Sequence, residues 1–195
     1  MSAIQPRDRP RLKHIMNRRV FIQTYGCQMN EHDSQRMLAQ LGDLGYAPVT
    51  DAADADLVLV NTCSVRHNPE NKVYSFLGRL RPLKRRRPDM VVGVCGCVAQ
   101  QEGEHILERE PLVDLVFGPD HIFRLEELLR EGAAGNRVCA TSWMPRKGRV
   151  QNFVPEEWVE RGHVDGVKAY IAITKGCNNM CTFCIVPHTR GREVS

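Results

Sequence analysis

The amino-terminal stretch lacks the apolar segment of a secretory signal or a membrane anchor, although its first 19 residues carry six basic side chains. We therefore expect a cytoplasmic protein without a membrane partner. Because the cytoplasm keeps thiols reduced, the eight cysteines are expected to serve metal or redox chemistry, not a disulfide framework. Residues 1–18, which include Pro6 and Pro10, are predicted to form a basic flexible tail.

The chain also lacks the length for two large domains. Its 195 residues, 42% of them hydrophobic, can bury one core of ordinary size and a fragment of a second. A strong excess of one charge is missing too, since the formal net charge is +4, which is compatible with an RNA partner without requiring one. The basic run from Arg79 to Arg87 is interpreted as a solvated helix end, with contact to RNA phosphates as the alternative.

Short apolar runs alternate with helical periodicity over residues 19–143. The apolar runs predict four strands: Val20–Tyr25, Leu57–Val60, Met90–Val94 and Val113–Phe117. The periodic segments predict four helices: one capped by Asp33 or Ser34, one that starts at Pro69 and kinks or ends at Pro82, one over Val98–Glu108 and one capped by Asp120. This alternation predicts an α/β domain with a doubly wound parallel sheet.

Three cysteines, Cys27, Cys63 and Cys97, each follow a predicted strand, and we call them the strand-end cysteines. The carboxyl ends of parallel strands meet at one edge of a sheet, so these side chains are expected to converge there. A single buried cysteine is commonly a packing residue, but the repetition at equivalent positions favours a shared iron–sulfur cluster. Cys95 and Cys139 are interpreted as small apolar side chains of strands.

A second group, Cys177, Cys181 and Cys184, has the spacing C-x3-C-x2-C with Phe183 before the last cysteine, and we call it the cysteine triad. Three thiolates can hold three irons of a [4Fe–4S] cluster and leave the fourth open for a small ligand. A zinc site is the alternative, although zinc usually takes a fourth protein ligand and paired C-x2-C motifs. The preceding run Ala169–Thr174 predicts a strand, which places the triad on a loop at a strand end.

The triad and its aromatic residue resemble the signature of the radical S-adenosylmethionine (SAM) family, in which the open iron binds SAM and the reduced cluster cleaves it to a 5′-deoxyadenosyl radical. The motifs around the strand-end cysteines, Thr24–Asn30, Asn61–Arg66 and Gly96–Gln100, resemble those of the methylthiotransferase amino-terminal domain. In that family they hold an auxiliary [4Fe–4S] cluster. The run Pro187–Ser195 shares the resemblance, which covers the chain from Val20 onward.

The resemblance implies a radical SAM tRNA methylthiotransferase with two [4Fe–4S] clusters, SAM as cosubstrate, tRNA as substrate, and an electron donor such as flavodoxin or ferredoxin. It implies a monomer. Gln28 and Met29 match the branch that adds a methylthio group to C2 of isopentenyladenosine at position 37 of tRNA. The branches acting on threonylcarbamoyladenosine or a ribosomal protein show Lys-Val-Asn or Pro-Lys-Asn after the cysteine. These branches and a non-catalytic iron–sulfur or zinc module stay open as alternatives.

The resemblance also divides the chain. Residues 19–143 correspond to the methylthiotransferase domain, residues 144–168 to a linker, and residues 169–195 to the first βα unit of a SAM-binding barrel. The chain ends soon after Cys184, so the rest of that barrel and the family's tRNA-binding β-barrel domain are absent from it. We therefore expect this chain to be inactive alone. No general acid or base is identified.

Overall fold

The computed structural model describes residues 18–65, 69–143, 172–179 and 181–194. Six strands form one sheet: β1 (Arg18–Tyr25), β2 (Tyr46–Pro48), β3 (Leu57–Thr62), β4 (Val91–Gly96), β5 (Leu115–Phe117) and β6 (Val138–Ala140). All neighbouring strands are parallel, in the order β2-β1-β3-β4-β5-β6. The predicted α/β fold is confirmed.

Helices connect the strands and cover the sheet. They are α1 (Gln28–Asp43), α2 (Pro69–Arg86), α3 (Cys97–Glu102), α4 (Glu104–Arg109), α5 (Leu125–Ala133) and the short α6 (Val186–Thr189), with 3₁₀ helices at Ala52–Asp54 and Pro119–Arg124. None of the helices in the described ranges is long and apolar enough to cross a bilayer.

Two hydrophobic cores lie on opposite faces of the sheet. Leu57 and Leu59 of β3 point into the core that α1 and α5 cover. Val58 and Val60 point into the core under α2, α3 and α4. Because successive side chains of a strand alternate between faces, this central strand is apolar on both. The sheet is therefore doubly wound, as the alternation of apolar runs predicted.

The strand order reverses beside β1, which lies between β2 and β3. In the register of the sheet, Tyr25 at the end of β1 pairs with Thr62 of β3, and Thr62 pairs with Gly96 of β4. The three strands thus end at one level, which we call the carboxyl edge. In open α/β sheets, ligands bind at this edge beside the reversal of strand order.

One predicted helix start is wrong. Helix α1 starts at Gln28 with Cys27 as its N-cap, not at Asp33 or Ser34, because the Asn30 side chain closes the first turn against the Cys27 backbone. Helix α2 starts at Pro69 as predicted, and of the two effects predicted for Pro82 it does not end the helix, which continues to Arg86. Packing of its apolar face on the sheet compensates for the one backbone hydrogen bond that a proline removes.

Further limits differ in detail. The helix predicted over Val98–Glu108 is divided at Gly103, whose φ of 49° lies in the left-handed region. Asp120 lies inside a 3₁₀ helix that precedes α5, and the strand predicted from Val113 begins at Leu115. Strand β2 was not predicted, because three residues at a sheet edge carry too short a pattern. Cys139 lies on β6, as expected.

The carboxyl-terminal predictions are described in part. Of the strand predicted over Ala169–Thr174, residues 169–171 lie outside the described residues, and residues 172–174 are not in a strand. Lys175 instead forms an isolated antiparallel bridge with Val194. Residues 1–17 and the predicted linker 144–168 also lie outside the described ranges, while Arg18, assigned to the tail, begins β1.

Candidate functional site

The strand-end cysteines each follow a strand that ends at the carboxyl edge. Cys63 directly follows β3 and Cys97 directly follows β4, one residue beyond the paired Thr62 and Gly96. The backbone N–H of Cys63 donates to the Tyr25 carbonyl at 2.9 Å, two residues before Cys27. The loops after three adjacent strands therefore each present one thiol, and all three thiols are free of disulfides.

The described side chains contain no group of three or more His, Cys, Asp or Glu residues already spaced to hold a metal ion. The assignment of the strand-end cysteines as cluster ligands therefore stays a prediction. The donor chemistry fits the group, since iron–sulfur clusters are held by cysteine thiolates. Thiolates from three different strand ends can surround one cluster without a local C-x2-C motif.

A buried amide network fixes the Cys27 loop. The Asn30 amide Nδ2 donates to Asn61 Oδ1 and to the Thr62 carbonyl, both at 3.0 Å. Its Oδ1 faces Cys27, at 3.3 Å from Sγ and 3.4 Å from the backbone N. Asn61 Nδ2 in turn donates to the Asn30 carbonyl at 2.8 Å and to Ser34 Oγ at 2.9 Å. The network joins the loop after β1 to the end of β3.

Gly96 lets β4 approach this network closely. Its φ of 91° is left-handed, and a Cβ there would lie 2.5 Å from Asn61 Oδ1 and against the Thr62 carbonyl. Only glycine fits a backbone that is both left-handed and this close to its neighbour. The turn places Cys97 at the first residue of α3, where it is 3% exposed.

Cys97 lies beside charged groups from the far end of the chain. Burial raises the pKa of its thiol, and the positive Arg190 and a hydrogen bond from Thr189 oppose that rise. Cys63 is close enough for its charge to act on Cys97. On balance the pKa of the Cys97 thiol lies above its ordinary value, because burial outweighs the positive charge of Arg190.

Two ion pairs attach residues 172–194 to the carboxyl edge. Arg190 Nη2 donates to Asp33 Oδ2 of α1 at 2.9 Å, and these side chains are 7% and 4% exposed. Lys175 pairs with Asp120, with side-chain exposures of 13% and 9%. Both acidic partners follow strands that end at the carboxyl edge: Asp33 lies in α1 after β1, and Asp120 lies in the 3₁₀ helix after β5. The segment that bears the cysteine triad is thereby held against that edge.

Buried polar atoms without hydrogen-bond partners occur in segments that follow the strand-end cysteines. Six such atoms occur among the described side chains: His32 Nδ1, Arg36 Nε, Gln40 Nε2, Ser64 Oγ, Gln100 Oε1 and Arg190 Nη1. The first three belong to α1, which follows Cys27, while Ser64 directly follows Cys63 and Gln100 lies in α3, which begins at Cys97. Native proteins rarely leave such groups unpaired, so each one calls for an explanation.

The cysteine triad lies on an open loop. Cys177 and Cys184 are half-buried, Cys181 is exposed and Phe183 is 92% exposed. The Cys177 backbone N–H donates to the Gly191 carbonyl at 3.1 Å, so the loop contacts the end of the same segment. The assignment of the triad cysteines as cluster ligands stays a prediction.

The remaining candidates have structural roles. In the basic run, Arg81, Lys84 and Arg87 pair with Glu110, Asp114 and Asp56 respectively, and contact of the run with RNA phosphates stays an alternative. Cys95 is fully buried, with its Sγ 3.8 Å from Met37 Sδ. Cys139 is half-buried on β6. His32 on α1 is half-buried, and burial lowers its pKa.

Sequence reasoning missed Asp33, Asp120, Lys175 and Arg190 as partners across the site. Their charges predict exposed side chains, and no sequence pattern links residues up to 157 positions apart. Asn30 and Asn61 stood inside recognised motifs, but their mutual hydrogen bonds required the register of β1 against β3.

Comparisons with known proteins point in one direction. The family described as "Uncharacterized protein family UPF0004" matches residues 19–118. A Cereibacter sphaeroides protein named tRNA-2-methylthio-N(6)-dimethylallyladenosine synthase is 49% identical over 92% of this chain and 40% of its own length. Proteins of that name from Jannaschia sp. and Anaeromyxobacter dehalogenans are 44% and 50% identical over 99% and 91% of this chain. The chain spans 40% and 37% of their lengths, and the resemblance to methylthiotransferases is confirmed.

Proposed function

This chain belongs to the UPF0004 family, and we propose that it is the cluster-bearing amino-terminal part of a radical SAM tRNA methylthiotransferase. The observation that carries the proposal is the placement of the strand-end cysteines after three adjacent parallel strands, with the triad segment held against the same edge. Two cysteine groups beside one edge suit a reaction in which sulfur is supplied at one cluster and a radical is generated at the other.

We assign the auxiliary [4Fe–4S] cluster to the strand-end cysteines and the SAM-binding [4Fe–4S] cluster to the cysteine triad. When bound, these groups supply a transferable sulfur and the reductive cleavage of SAM. The protein's own contribution is positional. The Asn30 network holds the Cys27 loop, Gly96 admits Cys97, and the Asp33–Arg190 pair keeps the two groups together.

The substrate that we propose is tRNA carrying isopentenyladenosine at position 37, methylthiolated at C2 of the adenine. The names of the relatives support this choice over threonylcarbamoyladenosine or a ribosomal protein. A base in the anticodon loop can be turned out of its stack into a cavity between two clusters. A flavodoxin or ferredoxin would deliver electrons, and the protein would act in the cytoplasm as a monomer.

Metal content tests the cluster assignment. The 195-residue chain is reconstituted anaerobically with iron and sulfide, and the expected product is brown and contains two clusters per chain. Replacing the three triad cysteines by alanine should remove half of the iron, and replacing the three strand-end cysteines should remove the other half. A colourless protein that retains zinc would contradict the proposal and favour the zinc module.

A chimera tests the activity. Residues 19–195 replace the matching region of the Anaeromyxobacter dehalogenans relative, which supplies the rest of the enzyme. The chimera should add a methylthio group to tRNA bearing isopentenyladenosine and not to tRNA bearing threonylcarbamoyladenosine. Alanine at Cys63 should abolish the modification, whereas alanine at Cys139 should leave it intact. Modification of the threonylcarbamoyl substrate instead would overturn the choice of substrate.

A further inference from the structure

Arg190 is a buried cation that comes from the triad segment but lies in the cluster site of the other cysteine group. The residue is 6% exposed, and its Nη2 is bound by Asp33. Its second terminal nitrogen, Nη1, is buried without a hydrogen-bond partner. A buried N–H that is left unpaired costs about 1–3 kcal/mol, more when the group is charged. The fold therefore buries a charged hydrogen-bond donor, Nη1 of Arg190, that has no acceptor among the described residues.

Cys97 is the neighbouring residue that can accept a hydrogen bond from this donor. The guanidinium lies beside the Cys97 thiol, close enough for the charge and the hydrogen-bonding capacity of each to act on the other. A neutral thiol is a weak acceptor of a hydrogen bond. A thiolate bound to iron is a much better acceptor of a charged N–H.

The charges around Asp33 also favour an anion at this edge. Asp33 interacts with two guanidinium groups, since it pairs with Arg190 at 2.9 Å and its charge acts on Arg36. One carboxylate therefore faces two cations. A [4Fe–4S] cluster ligated by three thiolates carries net negative charge and would neutralise the excess.

We propose that Arg190 is a positioning residue of the auxiliary cluster, whose buried guanidinium is held by Asp33 and donates through Nη1 to the Cys97 sulfur. This inference rests on the proposed function, because the acceptor is the thiolate that cluster binding creates. The donor lies six residues beyond Cys184, so the same side chain joins the two cysteine groups. Cluster binding at the strand-end cysteines and docking of the triad segment thus stabilise each other, and this coupling is reciprocal.

The test isolates the auxiliary cluster. In the full 195-residue chain the three triad cysteines are replaced by alanine, and this parent is compared with its Arg190→Met, Arg190→Lys and Arg192→Met derivatives after anaerobic reconstitution. Arg192 is an exposed arginine of the same segment, so its variant controls for loss of one positive charge. The readouts are iron per chain, the reduction potential of the cluster and the rate at which a chelator removes iron.

The parent should hold one cluster. Arg190→Met should shift the reduction potential to more negative values, because hydrogen bonds and positive charge at cluster sulfurs favour the reduced form, and should speed iron loss several-fold. Arg190→Lys, which keeps the charge but not the fork of two nitrogens, should fall between them, and Arg192→Met should match the parent.

Three results would contradict the proposal, and each contradicts a different part of it. A parent without iron would contradict the proposed function and the role of Arg190 together. A parent with a cluster whose potential and iron loss are unchanged by Arg190→Met would contradict the role of Arg190 alone. If Arg190→Met lost the circular-dichroism signal of a folded protein, the test would rest on Arg190→Lys. A folded Arg190→Lys variant whose cluster had the parent's reduction potential would then overturn the proposed role of Arg190.

Discussion

Two hydrogen bonds join Asn30 and Asn61 at the Cys27 loop, and we call this pair of bonds the clasp. Asn30 Nδ2 donates to Asn61 Oδ1 at 3.0 Å, and Asn61 Nδ2 donates to the Asn30 backbone carbonyl at 2.8 Å. Both residues are at most 1% exposed. Because these buried groups satisfy each other, the loop after β1 has one arrangement relative to β3. The position of Cys27 is therefore fixed before any ligand binds.

Replacing Asn30 by alanine should break this clasp. The Asn61 amide oxygen and the Thr62 carbonyl would lose a buried donor, and the free energy of unfolding should fall by about 1–3 kcal/mol. Denaturant titration of the apoprotein measures this loss. Asn136→Ala, at an exposed position on the loop before β6, is the matched control and should change the stability by less than about 0.5 kcal/mol. Equal losses in both variants would show that the clasp contributes nothing.

Gly96→Ala should be much more harmful than a substitution that only strains the backbone. Gly96 and Gly135 both have left-handed φ angles, of 91° and 84°, but only at Gly96 would a Cβ meet neighbouring atoms. We expect Gly135→Ala to cost about 1 kcal/mol from conformation alone and Gly96→Ala to cost at least about 1 kcal/mol more. Thermal unfolding of the two apoproteins tests this ranking, which similar melting temperatures would contradict.

Cys97→Ala and Cys95→Ala should separate a ligand from a packing residue. Both side chains are buried, on either side of Gly96, but they point to different surroundings. After reconstitution, Cys97→Ala should lower the iron content by about one cluster per chain, because iron–sulfur clusters need thiolates as ligands. Cys95→Ala should keep its iron and lose only packing against Met37. If the Cys95 variant lost its iron and the Cys97 variant kept it, the assignment of Cys97 as the ligand would be wrong.

Acid should weaken the Asp56 ion pair. Partial burial raises the pKa of Asp56, but the Arg19 backbone N–H at 2.7 Å and the Arg87 side chain outweigh it, so the pKa is lower than in the unfolded chain. The stabilisation is therefore complete above the unfolded pKa of about 3.9 and is lost as pH falls through the folded value.

Asp56→Asn tests that pH dependence. The variant should be less stable than the parent by about 1 kcal/mol at pH 7, and the difference should shrink toward pH 2. Asp54→Asn is the control, since Asp54 is 66% exposed and lies 3.9 Å from Arg19. A loss in Asp56→Asn that stayed constant with pH would mean that the carboxylate charge is not what stabilises the fold.

The sequence alone determined the class of the fold and the edge of the sheet where the candidate site lies. Apolar runs such as Leu57–Val60, between helical segments, are typical of a strand buried on both faces, and β3 is that strand. Cysteines shortly after such runs, such as Cys63 and Cys97, are expected at the carboxyl edge of a parallel sheet, where both lie. Periodicity and spacing are local properties, so a reader of the chain can recover them.

Only the tertiary structure decided how distant side chains meet. The burial of Arg190 against Asp33, the reach of Lys175 to Asp120 and the clasp of Asn30 with Asn61 depend on register and on docking of residues 172–194. A charged side chain is predicted from sequence to be exposed, because burying a charge is unfavourable without a partner of opposite charge. For Asp33 and Asp120 that partner comes from a distant part of the chain, which no local sequence pattern predicts.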